Sequence, residues 1–155
     1  MTADDDKRHI LVSLLEGFYW FDEGLQNYLR ARGWPSVTRP QSMVMANVVD
    51  GVRRPSDIAR RLGVSRQAIH ATINQMIELG MVALVDDPSN GRVKVVALTP
   101  QGEAMRRDAQ AAMVALTEEL GRRVGASELV KAARLLNGDW GPPMTFTPEQ
   151  VRRHD

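Results

Sequence analysis

The sequence predicts a mainly α-helical chain with one small β-hairpin, which is an α+β fold. Two long stretches, about residues 6–32 and 100–123, repeat their apolar side chains at steps of three and four residues, as amphipathic helices do. Between them, apolar runs at 81–85 and 93–98 are rich in β-branched residues and are separated by turn-forming residues. This pattern predicts a hairpin set among helices, and a length of 155 residues suits a single folding unit.

The composition excludes several classes of protein. With 43% hydrophobic and 25% charged residues, the chain is neither disordered nor fibrous in composition. It contains no cysteine, so it has no disulfide, no thiolate zinc site and no cysteine redox switch. The N-terminus is acidic where a signal peptide is basic, and no apolar run approaches the roughly 20 residues that span a bilayer. We therefore expect a cytoplasmic protein without a membrane segment.

Local signals divide the first half of the chain into helices. The first helix ends at Gly33-Trp34-Pro35, and Thr38 followed by Gln41 has the spacing of a capping box for a second helix over 40–49. Pro55 suits the first turn of a third helix, which ends at Gly63. Three helices are therefore expected before residue 64.

A helix-turn-helix follows from the next segment. Gly63-Val64-Ser65 is a tight connection in which Ser65 can cap a helix that continues to about Leu79. Its apolar residues Ile69, Ile73, Met76 and Ile77 predict a buried face. The opposite face carries Arg66, Gln67, His70, Ala71 and Asn74.

The second half of the chain begins with the hairpin and ends in helices. Residues 86–91 predict a loop longer than a two-residue turn, which can project as a wing with Arg92 at its base. Thr99-Pro100 starts the long helix to about residue 123, and a last helix is expected over 127–136. Residues 141–155 are rich in proline at their start and predict a partly ordered tail.

Positive charge is concentrated in the segment that contains the helix-turn-helix and the hairpin. The whole chain carries a formal net charge of only +1, which by itself is weak evidence for a nucleic-acid partner. Between residues 51 and 98, however, seven Lys/Arg stand against four acids, a local net charge of +3. The seven cations are Arg53, Arg54, Arg60, Arg61, Arg66, Arg92 and Lys94.

This order of elements resembles the multiple-antibiotic-resistance regulator (MarR) family. The resemblance covers nearly all of residues 7–137 and is carried by three stretches, residues 57–65, 76–82 and 97–102. The last of these, Ala97-Leu98-Thr99-Pro100-Gln101-Gly102, joins the hairpin to the long helix and is the most specific in combination. Two departures stand out: Ala71 occupies a position where the family often has arginine, and only Asp87 and Arg92 of the wing correspond to the family's wing pattern.

The resemblance implies a winged helix-turn-helix regulator of transcription, typically a repressor, that acts as a homodimer on double-stranded DNA. It predicts a DNA-binding lobe over residues 38–98 and a dimerisation region over 6–33 and 100–137. Side chains with paired donors and acceptors can read bases in the major groove, while arginines, including Arg60 and Arg61, position the protein on phosphates. The predicted DNA-binding residues are Arg53, Arg54, Ser65, Arg66, Gln67, His70, Ala71, Asn74, Asn90, Arg92 and Lys94, with Arg92 assigned to the minor groove.

The resemblance also implies a dimer surface and a small-molecule effector that changes the spacing of the two DNA-binding lobes. The predicted dimer contacts are Leu11, Leu14, Leu15, Leu116, Leu120, Leu129 and Leu136, which would equally suit an intrachain core. The predicted effector contacts are Phe18, Tyr19, Phe21 and Trp34, although an aromatic stripe is also typical of a core. No cofactor and no metal site is expected.

Two other classes of function stay open. An enzyme would need a group of catalytic residues, but the three histidines, His9, His70 and His154, are scattered, and neither a phosphate-binding glycine loop nor a metal-ligand cluster is visible. A winged fold can also serve as a protein-interaction module without binding DNA. The polar face of the helix that Ser65 caps would then be an ordinary solvated surface.

Overall fold

The computed structural model describes residues 10–152, which form two compact units, one ending at residue 117 and the other beginning at residue 118. The predicted start of the first helix at residues 6–9 and the last three residues of the predicted tail lie outside the described residues. His9 and His154 lie outside them as well.

The helices and strands up to residue 136 occur in the order that the sequence predicts. The fold class is confirmed as mainly helical with one antiparallel hairpin. Predicted and observed helix boundaries agree within a few residues wherever both are described. The elements are α1 (Ile10–Ala31), α2 (Arg39–Val49), α3 (Pro55–Leu62), α4 (Arg66–Glu78), β1 (Val82–Asp87), β2 (Asn90–Leu98), α5 (Pro100–Val124), α6 (Ala126–Leu136) and α7 (Pro148–Arg152).

Side-chain caps start two of these helices where the sequence predicts them. The Thr38 hydroxyl accepts a hydrogen bond from the backbone N–H of Gln41 at 3.4 Å, and the Gln41 side chain accepts one from the backbone N–H of Thr38 at 2.9 Å. Gly63, with φ of 66°, ends α3 in the left-handed conformation that glycine adopts most readily. The Ser65 hydroxyl caps α4 in the same way, by accepting from the backbone N–H of Ala68, so Gly63 and Ser65 fix where the turn between α3 and α4 begins and ends.

The core of the first unit lies between α2, α3, α4 and the hairpin, and Leu29 of α1 and Met105 of α5 complete it. Ile58 of α3 and Ile73 of α4 are fully buried, as is Val96 of β2. The prediction that Ile77 shares the buried face of α4 is wrong, because its side chain is 37% exposed. At 3.6 residues per turn, Ile77 lies at the edge of the stripe formed by the buried residues of α4, and the core reaches only the centre of that stripe.

The hairpin turn is tighter than the sequence predicts. Asp87 pairs with Asn90, so only Pro88 and Ser89 connect the strands, and the prediction of a longer loop over 86–91 is wrong. The Oδ1 atom of Asp87 accepts hydrogen bonds from the backbone N–H of Ser89 at 2.9 Å and from its hydroxyl at 2.7 Å. An aspartate that accepts from the residue two positions later closes a tight turn by itself, and this is why the loop is short.

The second unit contains the end of α5 together with α6 and α7. None of the side chains of α6 or α7 is buried. Within the predicted tail, Thr147 and Gln150 exchange hydrogen bonds across the start of α7, a helix that the sequence analysis missed.

Candidate nucleic-acid interface

Helix α4 presents one polar face to solvent. Its N-cap is Ser65, whose hydroxyl oxygen accepts a hydrogen bond from the backbone N–H of Ala68 at 3.1 Å. Ile69, Ile73 and Met76 are buried and hold the opposite side of the helix in the core. All of the predicted base-reading residues lie on the outward side and are exposed: Arg66, Gln67, His70, Ala71 and Asn74. The structure thus brings these five side chains together on one helix face.

Arg92 lies in a bulge of the hairpin. The pairing partner on β2 changes from Lys94, opposite Asp86, to Asn90, opposite Asp87, so residues 91–93 are extra on that strand. The side-chain oxygen of Asn90 accepts a hydrogen bond from the backbone N–H of Arg92 at 3.2 Å. The Arg92 side chain is exposed.

Four of the seven predicted cations are neutralised by acids. Each pair joins a nitrogen and a carboxylate oxygen within 2.8 Å: Arg54 with Asp87, Arg60 with Asp57, Arg61 with Asp50, and Lys94 with Asp86. The other three, Arg53, Arg66 and Arg92, have no acid partner among residues 10–152 and are exposed. These three are the cations most available for a phosphate.

The pair formed by Arg54 and Asp87 is the best shielded of the four. The Asp87 side chain is only 12% exposed, and its Oδ2 atom accepts from Nη2 of Arg54 at 2.8 Å and from Nε at 3.2 Å. These hydrogen bonds, followed by those from Ser89, lower the pKa of Asp87 from 3.8 to about 2. The same contacts raise the pKa of Arg54, which is therefore charged but already paired.

A groove of 680 Å³ lies beside the start of α3 and the hairpin turn. Its lining includes the four arginines at positions 53, 54, 60 and 61 together with Asp57, Asp87 and Pro88. The structure therefore brings the predicted phosphate-binding arginines of this region to one groove, which also contains two of their acid partners. Sequence reasoning missed that Arg54 pairs with Asp87, because 33 residues separate them.

A second cavity, of 470 Å³, lies between α1, α2 and α5. Most of its lining is apolar and includes Leu25, Leu29 and three methionines, Met45, Met105 and Met113. Among its polar side chains, Arg106 is paired with Glu103 at 2.7 Å, and the Ser42 oxygen accepts a hydrogen bond from Gln26 at 2.9 Å. The cavity therefore favours an apolar, uncharged occupant.

The four aromatic residues predicted as effector contacts do not line this cavity. Phe18 and Tyr19 contact each other, and the Tyr19 ring also lies 4.3 Å from the guanidinium carbon of Arg39. Phe21 contacts Trp20 edge to face. Trp34 packs against the core, and its indole nitrogen donates a hydrogen bond to Asp108 at 2.7 Å. The residues that do line the cavity show no distinct pattern in the sequence, because three separate helices contribute them.

Several predicted dimer leucines are exposed within their own unit. In the first unit, Leu11 is 76% and Leu15 is 45% exposed, while Leu14 and Leu116 are half-buried. In the second unit, Leu136 is 47% exposed, while Leu120 and Leu129 are half-buried. Each unit therefore presents apolar surface that its own residues leave uncovered.

The part of the chain that the structure describes contains neither a metal-binding cluster nor a membrane-spanning helix. No group of three or more His, Cys, Asp or Glu side chains between residues 10 and 152 is arranged to hold a metal ion. Across the same residues, no helix is both long enough and apolar enough to cross a bilayer.

The residues that form most of the candidate interface match the model of a known protein family. The family model of the MarR family matches residues 36–93, which contain α2, the helix-turn-helix and the start of β2. In the structure these residues form a winged helix-turn-helix. The predicted resemblance is confirmed for this segment. No curated protein matches the chain in sequence.

Solved structures extend the likeness beyond the winged helix-turn-helix. MarR from E. coli in its apo form has a TM-score of 0.62 and 23% identity, and the match covers 81% of this chain and 91% of that chain. CouR from Rhodococcus jostii, bound to p-coumaroyl-CoA, has a TM-score of 0.65 and 20% identity over 94% of this chain and 100% of that chain. The transcriptional regulator BldR from Sulfolobus solfataricus has a TM-score of 0.60 and 19% identity over 88% and 97%. The chain thus has the fold of the MarR-family transcriptional regulators.

Proposed function

We propose that the protein is a sequence-specific DNA-binding regulator of transcription that acts as a homodimer. The observation that carries the proposal is the exposed face of α4. Arg66, Gln67 and Asn74 stand together there, on a helix that is capped at its start and anchored in the core along its other side. A MarR-family winged helix-turn-helix with this face intact is suited to the major groove.

Four side chains of the α4 face can each contact a base in the major groove. Arg66 offers two parallel N–H donors for guanine, and the amides of Gln67 and Asn74 can each bind adenine through one donor and one acceptor. Ala71 is small and apolar, which suits contact with a thymine methyl group. Where the family often has an arginine, Ala71 therefore shifts the preference at that base pair from guanine to thymine.

Phosphate and minor-groove contacts come from the unpaired cations. Arg53 has no acid partner among the described residues and lies in the groove beside α3, so it can neutralise a phosphate at no cost to an ion pair. Arg92 projects from the bulge of the hairpin and suits a narrow minor groove, where negative potential is concentrated. Asn90 and Lys94 lie beside it on β2 and would contact the DNA backbone, Lys94 by giving up its exposed pair with Asp86.

A homodimer would cover the apolar surface that each unit leaves open. Helix α6 has no buried side chain of its own, although it contains Leu129, Val130, Leu135 and Leu136. Leu11 and Leu15 of α1 are similarly open to solvent. A two-fold dimer formed through these surfaces would also bind two half-sites about one helical turn apart, which raises affinity beyond that of a single wing.

We infer that an apolar small molecule regulates DNA binding from the cavity between α1, α2 and α5. Because α2 belongs to the winged segment and α1 to the predicted dimerisation region, an occupant would change how the DNA-binding lobe is held. CouR, which shares the fold, was solved with p-coumaroyl-CoA bound. Release of a repressor from its operator is the form of regulation that we expect.

The test is binding of the full chain to its own upstream DNA and to operators obtained by random-sequence selection. We expect binding that resists nonspecific competitor and weakens as salt rises, with a log–log slope of about −0.9 for each phosphate contact. Binding that is fully competed, or that does not change with salt, would refute the proposal in favour of a protein-interaction module.

Substitutions on α4 test whether this helix determines the sequence preference. Arg66→Ala and Gln67→Ala are each expected to weaken operator binding by about 1–3 kcal/mol and to relax the preference at one base pair. Arg107→Ala removes another exposed cation, from α5, and serves as the matched control, for which preference should not change. An unchanged preference in both α4 variants would show that another element reads the bases.

A further inference from the structure

The pair formed by Arg54 and Asp87 connects the helix-turn-helix to the wing. Arg54 precedes α3, and its carbonyl oxygen accepts hydrogen bonds from the backbone N–H groups of Asp57 and Ile58, each at 3.0 Å. The carbonyl oxygen of the preceding residue, Arg53, accepts one from Val96 of β2 at 2.9 Å. The backbone at Arg54 is therefore held between α3 and the hairpin, so its side chain extends from a fixed point.

The carboxylate of Asp87 is fully engaged at the end of β1. Arg54 occupies Oδ2 through two N–H groups, while the backbone and hydroxyl of Ser89 occupy Oδ1. One carboxylate thus links the start of α3 to the two-residue turn of the wing. By contrast, the other ion pair of this hairpin, Asp86 with Lys94, is more than 60% exposed at both side chains.

The turn and the bulge that presents Arg92 are consecutive along the chain. Ser89 is followed by Asn90, which pairs with Asp87 across the ladder and accepts a hydrogen bond from the backbone of Arg92. A shift of the Asp87 carboxylate would therefore move the turn, then Asn90, and with it the bulge. The side chain that depends on this arrangement is Arg92.

We propose that Arg54 is a positioning residue that holds the wing through Asp87, so that Arg92 meets the DNA, and that it is not itself a phosphate contact. The inference rests on the proposed DNA-binding function and revises the predicted role of Arg54 within it. Its physical basis is that a guanidinium with a carboxylate at 2.8 Å has its charge compensated locally, and pairing it with a phosphate would leave the shielded carboxylate without its partner.

The two roles predict opposite effects for Asp87→Asn. If Arg54 contacted a phosphate, removal of the competing carboxylate would free the guanidinium and strengthen DNA binding. If Arg54 positions the wing, the same substitution weakens the link between Arg54 and the turn and so weakens DNA binding, by about tenfold if most of the Arg92 contact is lost. Asp86→Asn is the matched control on the same hairpin, because it frees Lys94 from an exposed pair and is expected to leave binding unchanged or slightly tighter.

The experiment measures the dissociation constant of the full chain for its selected operator in wild type, Asp87→Asn, Arg54→Gln, Arg92→Ala and the double variant Arg54→Gln/Arg92→Ala. We expect Asp87→Asn and Arg54→Gln to weaken binding to a similar degree. The double variant should bind no more weakly than Arg92→Ala alone, because both substitutions remove the same contact. Additive losses in the double variant, or tighter binding by Asp87→Asn, would overturn the inference.

Footprinting separates positioning of the wing from general loss of structure. In Asp87→Asn and Arg54→Gln, protection of guanine N7 in the major groove should persist at saturating protein, while minor-groove protection at the flanks of the site is lost. Loss of both protections together would assign the pair to folding alone and refute the inference. Failure of the wild-type chain to bind any DNA would instead refute the proposed function itself.

Discussion

A Cβ atom placed on Gly102 would stand 2.0 Å from the carbonyl oxygen of Met81. Met81 is buried at the start of the hairpin, and Gly102 is buried in the first turn of α5. Glycine thus allows the backbone of α5 to approach the hairpin directly. Thr99 supports the same junction, because its hydroxyl donates to the carbonyl of Gly80 at 2.5 Å and accepts from the N–H of Gly102 at 3.0 Å.

Substitution of Gly102 by alanine is therefore expected to destabilise the protein. The methyl group would meet backbone, which yields less easily than a side chain, and such overpacking typically lowers the free energy of unfolding by about 1–3 kcal/mol. Gly17→Ala is the matched control, since Gly17 lies within α1 and a Cβ atom there would have no other heavy atom within 4 Å. There the better helix propensity of alanine should raise the free energy of unfolding by up to about 1 kcal/mol. Urea unfolding measures both, and equal effects of the two substitutions would contradict this account.

The comparison of Ser65 with Asp87 explains which features the sequence reveals. Ser65 caps α4 through a residue three positions away, and that spacing is visible in the sequence. Asp87 also pairs with Arg54, 33 residues earlier, and no local sequence pattern predicts such a partner. The face of α4 is likewise predictable from periodicity, whereas the cavity depends on how three helices pack and is not. The prediction that Ile77 is buried was wrong because periodicity gives the direction of a side chain but not how far the core extends.

Stability at low pH is expected to depend on Asp87. Its pKa is lowered from 3.8 to about 2 in the folded protein, with the hydrogen bond from Arg54 as the main cause. A carboxyl group with a lowered pKa stabilises the fold above its unfolded pKa, and this contribution is lost as the pH falls towards the folded pKa. The difference in unfolding free energy between wild type and Asp87→Asn should therefore shrink from pH 5 to about pH 2.

Denaturant unfolding at several pH values measures this difference. The same comparison in an Arg54→Gln background supplies the control, because the main cause of the lowered pKa is then absent. If the difference between wild type and Asp87→Asn stays constant over this range, Asp87 is not stabilised as an ion in the folded state.

Ala109 offers a way to fill the apolar cavity without touching the DNA-binding face. It lies on α5, lines the cavity and packs against the core. Ala109→Met should place additional atoms in the 470 Å³ space and reduce both the binding of an uncharged apolar dye such as Nile red and the effect of that dye on operator affinity. Ala111→Met, two residues along the same helix and exposed, should change neither quantity. Dye fluorescence titrations and operator titrations test this, and undiminished dye binding in Ala109→Met would exclude the cavity as the site.

Leu11 tests the proposed dimer surface with little effect on the fold of the single chain. Its side chain is 76% exposed, so Leu11→Glu removes few contacts within the first unit, but it would place a charge inside an apolar interface between copies. We expect the variant to sediment as a monomer at concentrations where the wild type is a dimer, and to bind a two-half-site operator at least tenfold more weakly because the second half-site no longer adds affinity. Ser13→Glu introduces the same charge at an exposed polar position of α1 and should leave both the mass and the affinity unchanged. A dimeric Leu11→Glu variant would place the interface elsewhere on the chain.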